Sequence, residues 1–126
     1  MNNKKEQKAL ALYEKGLKAV AANKAPSAIK YYREAIKLKP NFYQAHNNLG
    51  NLYQAQKNFD AALSSFKAAL DITGDNAIIL NNIGNNYKQH GNLDAAITYF
   101  RKAVSNDPTY LSAQLNLGAA LFDYGK

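Results

Sequence analysis

No cysteine occurs anywhere in the chain. That excludes a disulfide framework and any thiolate metal site, and it fits a reducing compartment, so a cytoplasmic location is expected. Prolines number only three, and with 47% hydrophobic and 20% charged residues the composition is that of a folded chain. No apolar run approaches the roughly 20 residues that span a bilayer. The N-terminal stretch Met1–Lys8 is basic, but Lys15 and Lys18 interrupt the apolar residues after it, so it does not read as a secretory leader. Histidine is scarce too: His46 and His90 stand 44 residues apart, without HExxH or comparable ligand spacing. His46 is expected to pack at a helix interface, and His90, in a turn four residues before Asp94, to join a capping interaction. No GxGxxG or GxxxxGK phosphate loop can be read. Catalytic residues, a metal site and cofactors are therefore all expected to be absent, and the chain reads as a non-enzyme.

What is present is a period. Gly50, Gly84 and Gly118 lie 34 residues apart, and Ala28, Ala62 and Ala96 keep that step, as do Asn48, Asn82 and Asn116. A fixed period of this length points to stacked helical units and not to a closed globule. Within a unit the apolar spacing is helical: Leu93, Ala96, Ile97, Phe100, Ala103 and Val104 fall at steps of three and four, which lines one face of a helix. Two helices of roughly 13 residues, joined by a turn such as Gln89-His90-Gly91-Asn92, make one unit.

Boundary residues agree. Asp60 and Asp94 occupy matching first-turn positions of the second helix, where a carboxylate meets free amides, and Pro26 takes that place in the first unit. Pro40 and Pro108 stop the second helix in two units, and Gly74 does so in the middle one. Glycine inside a helix costs roughly 0.5 to 1 kcal/mol relative to alanine. Gly16, Gly50, Gly84 and Gly118 therefore imply a close helix crossing, with Tyr32, Phe66 and Phe100 filling the space beside Ala28, Ala62 and Ala96.

These residues resemble the tetratricopeptide repeat family. The resemblance rests on Asn48-Leu49-Gly50-Asn51-Leu52-Tyr53 and its counterparts at Asn82–Tyr87 and Asn116–Leu121, and on the second-helix pattern Ala28, Tyr32, Ala35, Pro40 with its repeats. It implies an all-α, right-handed superhelix forming a single domain over 1–126, with units at about 9–42, 43–76 and 77–110 and a terminal helix at 111–124. It also implies that the first helix of each unit builds an inner, concave wall that binds a peptide or partner segment. The residues expected to face that wall are Gln44, Asn47, Asn48, Asn51, Asn81, Asn82, Asn85, Lys88, Ser112 and Asn116, together with Gln54, Ile78, Gln89 and Ala119. A ladder of amides offers both donors and acceptors to a peptide main chain. Asn48, Asn82 and Asn116 either touch that ligand or bridge neighbouring helices.

Family members that clamp an acidic C-terminus carry cations and asparagines where this chain has Tyr13, Leu17, Asn48, Ile78 and Asn82, and only Asn48 matches. An asparagine-lined wall looks more like the substrate-recruiting arm of protein glycosyltransferases, which is the alternative reading. Residues 1–39 hold ten basic and three acidic side chains, and so the whole net charge of +7. The lysines spread over several helical faces without interleaved aromatics, which disfavours nucleic acid or membrane as partner. The apolar residues Leu117, Leu121, Phe122 and Tyr124 of the last helix are expected to be partly exposed, leaving self-association through that helix open.

Overall fold

The structure, a computed structural model, describes residues 3–126; Met1 and Asn2, which open the basic N-terminal stretch, lie outside the described residues. The described residues form seven α-helices and no strand: α1 (Asn3–Ala21), α2 (Ala25–Leu38), α3 (Tyr43–Ala55), α4 (Phe59–Thr73), α5 (Ala77–Gln89), α6 (Leu93–Asn106) and α7 (Leu111–Tyr124). Helices α1 and α2, α3 and α4, and α5 and α6 pack most extensively as pairs, and α7 lies against α5 and α6. The result is an all-α solenoid. Helix α1 runs to 19 residues, so the stretch from Asn3 to Lys8 is helical. None of the seven helices is long and apolar enough to cross a membrane.

The turn inside each pair is set by one backbone position. Asn23, Lys57 and Gly91 all have positive φ, at 59°, 62° and 91°, and they succeed one another at steps of 34. Each lets the next amide reach back to the helix: Lys24 N bonds Ala19 O, Asn58 N bonds Tyr53 O and Asn92 N bonds Tyr87 O at 2.8–2.9 Å. This closes the helix with a left-handed residue. Glycine adopts that conformation freely, whereas Lys57 is strained by its Cβ. The side-chain caps of α4 and α6 are Asn58 and Asn92, whose oxygens accept from Ala61 N and Ala95 N. At the helix starts Asp60 and Asp94 thus supply first-turn charge and not the cap.

The glycines behave as expected at three of four places. A Cβ added at Gly50 or Gly84 would lie 2.5 Å from ring carbons of Phe66 or Phe100, and the Tyr32 ring closes on Gly16 in the same way. Those rings are 0–1% exposed. Gly118 departs from the pattern: nothing stands within 4 Å of its missing Cβ. The ring that fills each socket comes from the next helix along the chain, and α7 has no such successor among the described residues. Consistently, Leu115, Leu121, Phe122 and Tyr124 are 40–69% exposed, while Leu117 is half-buried against Phe100 and Ala120.

The connection between pairs is also patterned. The His46 ring sits 2.9 Å from the Pro40 carbonyl, and Gln114, 68 residues on, donates to the Pro108 carbonyl. The Pro40 oxygen can only accept, so Nε2 of His46 carries the proton. His46 is therefore a loop fastener. Before α7, Asp107 accepts from the Thr109 hydroxyl at 2.6 Å and from its amide at 3.0 Å. The hydroxyl bond first, then the amide bond, hold the Asp107 carboxyl below its ordinary value. Because the folded-state value is the lower one, this contact stabilises the fold above the ordinary carboxylate range, and the contribution is lost as pH falls through the depressed value. Thr109→Val is expected to move the Asp107 carboxyl up toward its ordinary value, and an NMR carboxyl titration reads the shift directly.

Candidate functional site

The first helices α1, α3, α5 and α7 stand side by side, and asparagines stitch them together. Asn48 Nδ2 donates to the Tyr13 hydroxyl at 3.0 Å, Asn82 Nδ2 to Asn47 Oδ1 at 2.9 Å, and Asn116 Nδ2 to Asn81 Oδ1 at 3.0 Å. Each bond spans 35 residues, one more than the repeat. The helical stagger thus brings position n beside n−35, so that one amide of a unit meets the preceding amide of the unit before. Asn48, Asn82 and Asn116 bridge neighbouring helices through their NH2 groups, one of the two roles open to them. Each bonded asparagine pair still holds a spare donor on one partner and a spare acceptor on the other.

The remaining wall residues sort by burial. Asn81 is 4% exposed and acts as a support for Asn116. Asn51 is exposed and Asn85 half-buried, and among the described residues neither side chain has a hydrogen-bond partner. Gln44 and Ser112 lie exposed in the first turns of α3 and α7, and Lys88 is half-buried in the last turn of α5; none of the three joins the ladder. Gln54 is half-buried, and its Oε1 has no partner.

Sequence reasoning named Tyr13 and Leu17 of α1 only as mismatched clamp positions and missed the apolar cavity at this end of the wall. Leu17 and Val20, 42% and 44% exposed, line a cavity of about 320 Å³ with Tyr32, Asn48, Asn51 and Leu52. Leu17 has no counterpart of its kind in later units, where the same position holds Asn51 and Asn85. That difference was the available signal. Tyr32 closes the cavity; burial raises its phenol pKa, the neighbouring Tyr13 adds to this, and Asn48 partly offsets it. His90 does not pair with Asp94. It caps α5, and its ring stacks on Phe59 at 4.8 Å and 18°. No three His, Asp or Glu side chains among the described residues stand close enough to hold a metal ion.

The Tetratricopeptide repeat family profile matches residues 42–109. The chain belongs to the tetratricopeptide repeat family. A second profile, TPR repeat, matches residues 10–57. Curated relatives include the small glutamine-rich tetratricopeptide repeat-containing protein 2 of Saccharomyces cerevisiae, 30% identical over 61% of this chain and 27% of that protein. The peroxisomal targeting signal receptor of Candida albicans is 35% identical over 61% of this chain and 13% of the receptor. The chain thus spans about a quarter or less of the curated relatives it matches. Among solved structures, the first tetratricopeptide domain of Spaghetti (RPAP3), bound to the HSP90 peptide SRMEEVD, superposes with a TM-score of 0.90 at 22% identity, covering 96% of both chains. The Arabidopsis OM64 tetratricopeptide domain gives 0.89 at 20% identity, covering 94% of this chain and 98% of that one. At these identities the likeness concerns the fold.

Proposed function

We propose that this tetratricopeptide domain is a protein-interaction module whose wall of first helices holds an extended peptide of a partner protein. The observation that carries the reading is the arrangement of spare amide groups. Asn51 and Asn85 are unpartnered on the wall one repeat apart, and the bonded pairs Asn47–Asn82 and Asn81–Asn116 flank them. A peptide main chain presents alternating donors and acceptors, and such a row meets it whatever the side chains are.

Side-chain choice falls to the α1 end. The Leu17–Val20 cavity takes a single bulky apolar side chain, the kind of anchor that dominates peptide affinity. Two features argue against a ligand held by its carboxylates. The cationic positions of the acidic-C-terminus clamp are Tyr13, Ile78 and Asn82 here, and a desolvated carboxylate without a cation is costly. The Spaghetti domain is described with an acidic HSP90 peptide; this wall suits a neutral, apolar-anchored segment.

The experiment is a peptide array probed with labelled protein, wild type against the Asn51→Ala/Asn85→Ala variant. Neither side chain supports the fold, so the variant is expected to melt like wild type. Its affinity for the selected peptides is expected to fall by about tenfold or more, since each hydrogen bond contributes about 1 kcal/mol. Selected peptides should share one large apolar residue, and binding should change little with salt. Unchanged affinity in the variant, or a steep loss with salt, would overturn the groove reading.

A further inference from the structure

We infer that the edge of the solenoid where α5 turns into α6 carries a second binding site, one for the guanidinium of an arginine presented by a partner protein. The site is a cleft of about 640 Å³, larger than the groove cavity, and lies between the first turns of α4 and α6 and the end of α7. Three carboxylates line it, Asp60, Asp94 and Asp123, with no lysine or arginine among the lining residues. This in itself sets the cleft apart in a chain of net charge +7.

A buried polar atom supports a ligand there. Asn86, which lines the same cleft, is 2% exposed. Its Nδ2 donates to the Phe59 carbonyl at 3.0 Å, while its Oδ1 is buried without a hydrogen-bond partner. A buried acceptor left unpaired costs free energy, and an incoming donor relieves that cost. Tyr124 stands at the rim, where the neighbouring Asp94 carboxylate raises its phenol pKa. The stacked Phe59 and His90 rings form another side.

The shape of the charge selects the cation. The three carboxylates do not converge as they would round a metal ion, so a compact ion cannot engage all three at once. A guanidinium spreads five N–H donors over a plane and stacks on aromatic faces, which matches carboxylates distributed round an aromatic-walled cleft. Asp123 is 3.9 Å from Lys126, an exposed pair too weak to compete with a better placed cation. The site is independent of the groove, since none of its lining residues belongs to the amide ladder.

The test is an NMR amide titration with N-acetyl-arginine methylamide and with its neutral isostere, N-acetyl-citrulline methylamide. Saturable shifts are expected for residues 86–94 and 123–124 with the arginine compound only. The Asp60→Asn/Asp94→Asn variant keeps both asparagine caps and is expected to fold normally, as circular dichroism would verify, while weakening arginine binding by about tenfold or more. Tyr124→Leu, which keeps all three carboxylates, should weaken it less. Asn51→Ala/Asn85→Ala should leave it unchanged, so that failure here and failure of the groove reading are separately visible. Equal shifts with citrulline, or full binding in the Asp60→Asn/Asp94→Asn variant, would overturn the site.

Discussion

Gly84→Leu is expected to destabilise the chain by about 3 kcal/mol, lowering the thermal midpoint by on the order of 10 °C, whereas Gly118→Leu leaves it unchanged or slightly raised. The two glycines are equivalent in sequence. They differ in what stands over them. At Gly84 the first added carbon already meets the Phe100 ring at 2.5 Å. That ring is 0% exposed and wedged among Ala96, Ala120, Leu117 and Tyr87, so it cannot swing away without repacking two neighbouring helices. At Gly118 nothing lies within 4 Å, and any other helix former gains up to about 1 kcal/mol in propensity over glycine. Alanine at the two sites should show the same opposition of sign with a smaller amplitude. Thermal melts of the four variants decide the point: equal gains at both sites would mean that the glycines answer to helix propensity alone, and equal losses would overturn the assignment of the strain to the Phe100 ring.

The period made most of the fold legible, because each unit repeats its glycine, alanine and aromatic at fixed steps. What it hid were the features that break or straddle it. The asparagine bonds join positions 35 apart, so superposing units 34 apart places like on like and conceals the partners. The empty socket at Gly118 was hidden because such a socket is filled from outside its own helix. The left-handed turn at Lys57 carries no glycine to announce it. On the wall, the amides of α3, α5 and α7 could be read from sequence, but the apolar cavity of α1 draws on Leu17, Val20, Tyr32 and Leu52 from three helices. The acidic cleft likewise gathers Asp60 and Asp94, which keep the period, with Asp123, which does not. Only folding brings them together.

Phe66→Ala is expected to be the most damaging single truncation, at about 3 to 5 kcal/mol. Phe66 is 0% exposed and joins Ala62 and Ala69 of its own helix to Ile79 and Ile83 of the next pair. Removing the ring therefore opens a void between two units and weakens the contact that propagates the stack. The glycine beneath that ring provides a sharper test. In the wild type, Gly50→Ala places a methyl group 2.5 Å from the Phe66 ring and should cost about 1 to 3 kcal/mol. In the Phe66→Ala background that ring is gone, so the same methyl fills part of the void and adds helix propensity, stabilising by about 0.5 to 1 kcal/mol. The substitution should change sign. A double-mutant cycle by urea unfolding measures this coupling directly. A Gly50→Ala effect of the same sign in both backgrounds would place the strain in the helix backbone and not in the ring above it.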